Sequence, residues 1–598
     1  MSLLQPRNIQ RSSRRISNQA IGQGPRSAVL VGLISLILFG LIPARLFFLQ
    51  VVQGPRNREL ADENRIQLIP KRPERGKIFD RKGRILASSQ FSYSVFIWPL
   101  AQTKPQWPQS VQTLSTILKI PAKQIQEKVK QAGPNSPSLL RIARGISFAE
   151  IVALEEHRSE LIGVEVDNEA TRVYPNGELG AQTLGYIGEI TGEELEKRKE
   201  QGYRLGDVIG KMGIEAAYEN DLRGTWGGQQ VEVDGSGRIV RILGQKPSLP
   251  GKDITLTIDL DVQKAAEKAL GDRPGAVVAL DPRDGAVRAM VSHPGFDPNW
   301  FSKNMTEGQW QDLQKRSFPF VNRAIQGFPP ASTFKIITAT AGMESGKFPP
   351  SSVLMTFPSI HGVGDWNGAG FGQIGFVTAL QWSSNTFFGQ VGVGVGPKIL
   401  LDWAHRYGLE QKTGIEIPGE DEGFLPNPDW KKKVWQDSWY PADSVMVSIG
   451  QGAVQVSPLQ SAVVFAVPAN GGYRVKPHLK ESAPLDAQYK PESLNIKAPT
   501  LQMLRTGMRA VVQAGTSTAL NVPTIPPVAG KSGTGEDPPR RSHTWFGGFA
   551  PFDKPELVVV AFAENSGGGG GRTCGPIALQ VFEAYFKNNP VKKAPPKS

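Results

Sequence analysis

The run Gly327 to Ile337 reads GFPPASTFKII and sets a hydroxyl, Ser332, three residues before an amine, Lys335. Serine is a weak nucleophile until a neighbouring base takes its proton. Positions i and i+3 share one helix face, so this spacing can bring the amine to the hydroxyl. Pro329-Pro330 bar a helix upstream, and a helical pattern starts after Ala331. Ser332 is therefore expected at a helix N-terminus, where free N–H groups and the dipole favour developing negative charge. Alone, the pair reads more simply as an N-cap and a solvated lysine, since Ser-x-x-Lys is common by chance. Two other stretches could complete a site. Gln381 to Phe388 (QWSSNTFF) offers Ser383 and Asn385, residues that also suit an ordinary turn. Val528 to Gly535 (VAGKSGTG) offers Lys531, Ser532 and Thr534 around Gly533, in a glycine-rich strand that a substrate backbone could approach closely.

Other chemistries fit less well. A phosphate loop needs G-x-x-x-x-G-K-[ST]. Before Gly530-Lys531-Ser532 the first glycine position is Ile525, and Pro526-Pro527 remove two N–H donors. The run Ser566 to Thr573 (SGGGGGRT) follows a strand and precedes a helix, but it has Ser566 for the first glycine and Arg572 for the lysine. The six histidines form no H-x-x-x-H pair, and His361 with Asp365 is the nearest approach to a metal-ligand pair. No metal and no cofactor is expected. The single cysteine, Cys574, excludes an intrachain disulfide and a cysteine-based zinc site. The net charge of +13 is concentrated at the ends: five arginines precede residue 28, and three lysines lie in the last eleven residues. The remaining +5 on the body is a weak basis for nucleic-acid binding.

These residues need a frame. Ser27 to Ala44 is uncharged for 18 residues, and an amphipathic extension past Arg45 runs to Val52. A bilayer core needs about 20 residues. The expectation is a basic tail over 1–27 and one uncleaved membrane anchor over 28–52. The flanking arginines place the N-terminus in the cytoplasm and the bulk outside. Residues 53–250 read as a module without a catalytic constellation. Arg75 to Ala87 predicts strand, tight turn around Asp80 to Gly83, and strand. Phe91 to Trp98 predicts another strand, residues 105–160 polar amphipathic helices, and Val231 to Leu243 a hairpin. From Asp253 the pattern predicts a helix over Asp261 to Leu270 and a hairpin of GAVVALDP with DGAVRAMVS. Helices follow, then strands in HTWFGGFAP and ELVVVAFAEN and a closing helix over Gly575 to Phe586. Strands at both ends with helices between predict one domain over 251–587 whose sheet joins its termini. Residues 588–598 form a basic tail that is expected to be disordered.

Ser-x-x-Lys, Ser-x-Asn and Lys-[Ser/Thr]-Gly in this order resemble the signature of penicillin-binding proteins and serine β-lactamases. The runs NRAIQGFPPASTFK, SIGQGAVQVSPLQ, GKSGTGE and HTWFGGFAP look like the class B penicillin-binding proteins. So do RGKIFDRKGRILA, RVYPNGELGAQTLGYIG and GIEAAYENDLRG. ENRIQLIPKRPERG and LPNPDWKKKVW look like the elongation-specific subgroup. The resemblance covers roughly residues 45–586. It implies an α+β multidomain protein: a single transmembrane helix, an elongated β-rich N-terminal pedestal or dimerisation module, and a C-terminal serine-β-lactamase-like transpeptidase domain with an antiparallel sheet and helical layers. It also implies a bacterial inner-membrane D,D-transpeptidase that cross-links peptidoglycan stem peptides and is acylated by β-lactams. The implied roles are Ser332 as nucleophile, Lys335 as base, Ser383 as proton relay and Asn385 as orienting group. Lys531 would supply the positive field, and Ser532, Gly533 and Thr534 would bind the substrate. The backbone N–H groups of Ser332 and Thr534 would form the oxyanion hole. Ser532 stands where many relatives have threonine; the hydroxyl is kept. With no glycosyltransferase domain of its own evident, the implied partners are a membrane-embedded SEDS-type glycosyltransferase and elongation-complex scaffold proteins. A β-lactam hydrolase would need a second base, such as a Glu-x-x-Leu-Asn run, and none is found. A division-specific transpeptidase and a β-lactam-binding scaffold that activates a polymerase partner stay open as alternatives.

Overall fold

The computed structural model describes residues 24–55, 66–134, 139–204, 206–233, 239–303, 305–482 and 486–590. The tails expected over 1–27 and 588–598 lie mostly outside these residues, as does the centre of the hairpin expected over Val231 to Leu243. By internal packing the chain forms two compact units, Met1–Arg72 with Trp226–Ser248, and Pro73–Thr225 with Leu249–Ser598.

The first unit contains the helix Gly24–Phe47, which continues as a π-helix over Phe48–Val52. Val29–Val52 is the one helix among the described residues long and apolar enough to cross a membrane, with a mean hydropathy of 2.3. Arg45 lies 5.6 Å from the Phe48 ring centroid, at the C-terminal end of that span. The unit also contains a three-stranded antiparallel sheet in the order Ile66–Lys71, Gly227–Val233, Ile239–Lys246.

In the second unit, residues 78–173 build a sheet on a strand longer than expected. The runs predicted as two strands form one, Ile85–Ile97, because nothing between them breaks the chain. It pairs with Val164–Val173 along one edge and with Leu140–Ile146 along the other. Leu140–Ile146 lies inside the stretch expected to be helical. It escapes the alternation rule because its arginines point inward: Arg141 is buried and pairs with Glu169 and Glu189. The helices Trp107–Leu118 and Ala122–Ala132 bury Val111, Leu114, Ile125 and Val129 against Val95 and Ile97.

The DRKG turn is fixed to the next domain by charge. Buried Asp80 accepts from the backbone N–H groups of Lys82 and Arg84 at 2.9 and 2.8 Å and from Leu260 N–H at 3.2 Å. Arg84 and Lys82 pair with Asp261 and Asp259 at 2.6 and 2.9 Å. A second joint centres on Glu215, which is fully buried and accepts from Arg75 and Arg172, each at 2.6 Å, and from the Tyr174 hydroxyl at 3.1 Å. Burial alone would raise the Glu215 pKa. The two guanidiniums outweigh it and hold the carboxyl below its usual range.

The remaining residues form a five-stranded antiparallel sheet in the order Val287–His293, Gly275–Leu280, Leu557–Ala563, Arg540–Ala550, Ala529–Asp537. Its termini-joining topology is as expected. Alternation sorts its side chains between two cores. Val559 and Ala561 pack with the helices Leu260–Leu270 and Gly570–Asn588, while Val558, Val560 and Phe562 face the helical layer that includes Pro458–Ala469. The closing helix starts five residues before its expected beginning, inside the glycine run. A Cβ on Gly570 would lie 2.2 Å from the Gly533 carbonyl oxygen and 2.3 Å from that of Trp545, so only glycine lets this helix seat on the sheet.

Because Glu215 compensates two buried cations, Glu215→Gln is expected to lower the unfolding free energy by about 3–5 kcal/mol in urea titrations of the detergent-solubilised protein. The folded pKa is depressed. Its stabilisation is therefore present above the unfolded value and lost as pH falls through the folded one.

Candidate functional site

Ser332 sits in a 3-10 turn, Ala331–Phe334, that runs directly into the helix Lys335–Glu344. In a 3-10 turn the side chains at i and i+3 eclipse, so the tight start aligns Ser332 and Lys335 more closely than an α-helix would. Two contacts hold the turn. Ala331 N–H donates to Gly450 O at 2.8 Å. Gly450 has no room for a Cβ, which would lie 2.3 Å from Ala331 O. On the other side the glycine strand packs in: a Cβ on Gly533 would lie 3.1 Å from Pro330 O.

Lys335 is fully buried. Its Nζ donates to Ser383 O at 2.8 Å, Ser383 Oγ at 3.3 Å and Asn385 Oδ1 at 2.6 Å. These three acceptors account for the three protons of an ammonium. Among the described residues Lys335 has no salt bridge. Burial and the nearby Lys531 ammonium push its pKa well below the usual lysine value, against a smaller upward pull from Asp365. Lys531 is also fully buried; its Nζ donates to Ser532 O at 2.9 Å, and burial pushes its pKa down to about 7.

The structure thus brings Lys335, Ser383 and Asn385 into hydrogen-bonding contact and sets Lys531 within electrostatic reach. The turn that carries Ser332 packs on the strand that carries Thr534, through Pro330 and Thr333 at Gly533 and through Pro329 and Ala331 at Gly535. Ser532 is turned to another partner, Thr516 Oγ1, at 2.7 Å. Thr534 is exposed on the edge strand of the sheet, where its carbonyl accepts from Gln451 Nε2 at 3.2 Å and its hydroxyl from Gly570 N–H at 3.3 Å. Two residues at the site hold left-handed backbone, Ala331 at φ 52° and Ser383 at φ 58°. For non-glycine residues such conformations persist only where the surroundings fix them.

One residue of the site was not among those singled out for it in the sequence. Asp365 is buried, and its carboxylate caps the helix Asn385–Arg406. Oδ1 accepts from the backbone N–H groups of Asn385 and of Thr386, the latter at 3.1 Å. Oδ2 accepts from the hydroxyls of Ser384 at 3.0 Å and Thr386 at 2.8 Å. His361, the nearest approach to a metal-ligand partner for it in the sequence, is exposed. Asn385 Nδ2 donates to Gly364 O at 2.8 Å, so the same short segment holds both ends of Asn385. No local motif marks this cap, because the carboxylate comes from twenty residues upstream.

Compared with known proteins, residues 275–583 match the penicillin binding protein transpeptidase domain, and residues 70–256 match the penicillin-binding protein dimerisation domain. The chain is 32% identical over 600 residues to the peptidoglycan D,D-transpeptidase MrdA of Acinetobacter baumannii, covering 94% of this chain and 88% of that protein. It is 30% identical over 595 residues to MrdA of Escherichia coli, covering 93% of each. Among solved structures, Pseudomonas aeruginosa PBP2 in complex with WCK 5153 superposes with a TM-score of 0.68 at 28% identity, over 88% of this chain and 99% of that one. A structure described as the coordination of polymerization and crosslinking by a peptidoglycan synthase complex gives a TM-score of 0.69 at 31% identity, over 96% of this chain and 100% of that one. The complex of Helicobacter pylori PBP2 with MreC shares the fold, with a TM-score of 0.79 at 23% identity over 88% of this chain and 99% of that one.

Removing the long-range cap should cost more than removing the local one. Asp365→Ala is expected to destabilise by about 2–3 kcal/mol through its charge-assisted bonds, and Ser384→Ala by about 1 kcal/mol, read as shifts of the urea midpoint.

Proposed function

The chain belongs to the penicillin-binding protein transpeptidase family, and on that premise we propose that it is the peptidoglycan D,D-transpeptidase of cell elongation, acting through a serine acyl-enzyme. Residues 251–587 serve as the catalytic domain and 53–250 as its pedestal. The observation that carries the reading is the buried Lys335 amine, held by Ser383 and Asn385 with no salt bridge among the described residues.

In this reading neutral Lys335 takes the Ser332 proton as Oγ attacks the carbonyl of the penultimate D-alanine of a stem peptide. The proton passes through the Ser383 hydroxyl to the leaving amine, and the terminal D-alanine departs. The N–H groups of Ser332 and Thr534 stabilise the oxyanion, at about 3 kcal/mol per donor. Asn385 fixes the amine and the substrate amide. Protonated Lys531, with the Ser532 and Thr534 hydroxyls beside Gly533, attracts and binds the substrate carboxylate. An acceptor amine from a second stem peptide then attacks the acyl-enzyme, gives its proton to Lys335, and releases Ser332. A β-lactam acylates the same serine.

The arginines before residue 28 keep the N-terminus cytoplasmic and the catalytic domain extracytoplasmic. A SEDS-type glycosyltransferase supplies the glycan strands, and scaffold proteins of the elongation complex position the pair. The relative solved within a peptidoglycan synthase complex supports this partnership.

Mass spectrometry after penicillin treatment tests the assignment. One adduct is expected on the peptide bearing Ser332 and none in Ser332→Ala; an adduct elsewhere refutes it. The pH profile tests the two lysines. Acylation by a fluorescent penicillin should rise with pH as Lys335 loses its proton, and fall as Lys531 loses its own near pH 7. Lys531→Arg keeps the charge and should remove the falling limb while leaving the rising one.

A further inference from the structure

The glycine run Ser566 to Thr573 fails as a nucleotide loop, yet it borders a cavity of about 580 Å³. Arg273, Arg541 and Arg572 line this cavity, together with Asn565, Ser566 and Thr573. All three arginines are exposed. Arg273 spends one guanidinium N–H on Leu270 O at 3.0 Å. The guanidiniums of Arg541 and Arg572 have no hydrogen bond or ion pair among the described residues. The acid in the wall, Glu564, is already committed to Arg323 at 2.6 Å. The loop is built to hold this arrangement. Gly567, at φ 68°, lies under the Arg541 stem, where a Cβ would come within 3.4 Å of Arg541 Cδ. Its N–H is tied to Ser542 O at 3.0 Å.

We propose that this cavity is a binding site for a phosphate-bearing ligand, independent of the acylation site. Three cations from three separate segments, the helix Leu260–Leu270 end, the strand Arg540–Ala550 and the helix Gly570–Asn588, face one space. A planar carboxylate satisfies one arginine fork; a tetrahedral phosphoryl group offers oxygens in several directions at once. The Thr573 hydroxyl adds a donor, and the cavity has room beyond inorganic phosphate for a phosphate ester or a diphosphate.

Calorimetric titration of the full-length protein in detergent with inorganic diphosphate tests this. Saturable binding is expected, weakened at least tenfold in an Arg541→Ala/Arg572→Ala double variant. It should be unchanged in Arg540→Ala, which removes a neighbouring exposed cation that is paired to Asp537 outside the cavity. Acylation by fluorescent penicillin should be the same in all three proteins, which confirms that the variants fold. Competition by monomeric dihexanoyl phosphatidylglycerol would assign the source to a lipid headgroup; displacement by glycerol phosphate alone would assign it to a soluble ester. No saturable binding, or equal binding by wild type and double variant, overturns the proposal.

Discussion

Everything at this site follows from a lysine taken out of water without a counter-ion. A buried ammonium normally demands a carboxylate. Lys335 has instead a carbonyl, a hydroxyl and an amide oxygen, with a second buried lysine nearby. Dipoles of this kind solvate either protonation state, whereas an ion pair would lock the charged one. The amine can therefore lose and regain a proton where its solvated counterpart could not. The surrounding architecture keeps water away from that nitrogen.

That requirement explains why the acid that is present stands one step back. Asp365 reaches the site only through the helix terminus it caps. Its charge is spread over two backbone N–H groups and two hydroxyls, so it fixes Asn385 without pairing with Lys335. The same reasoning applies to the strand bearing Lys531. Ser532 is engaged by Thr516 and Gly533 is pressed against the Ser332 turn, so the strand is held from both sides, and among the described residues its lysine donates only to a carbonyl.

Much of this was legible in the sequence because it is local. Proline before Ser332 announces the turn, and the i, i+3 spacing sets Ser332 at that turn just before the helix that Lys335 begins. Alternating apolar runs announce the sheet strands. What could not be read is what depends on distant partners. Leu140–Ile146 was hidden because its inward arginines are neutralised by Glu169 and Glu189, which lie further along the chain. The early start of the closing helix was hidden because glycine is a poor helix former in isolation, and only contact with Gly533 and Trp545 makes it necessary. The role of Asp365 was hidden because the N–H groups and hydroxyls it accepts from lie some twenty residues further along the chain.

The sheet that joins the two ends of the catalytic region has a kinetic consequence. Gly275 is paired with Ala563 and Leu280 with Val558, some 280 residues apart. Contacts of such high order are slow to form, and here they must await the arrival of the later strand. At about 5–20 residues per second of synthesis, the Gly275–Leu280 strand waits for tens of seconds with the N–H and C=O groups of one edge unpaired. Ala529–Asp537 joins the sheet only through Arg540–Ala550, which in turn needs Leu557–Ala563. The sheet is thus incomplete in a nascent chain until its last strands have emerged.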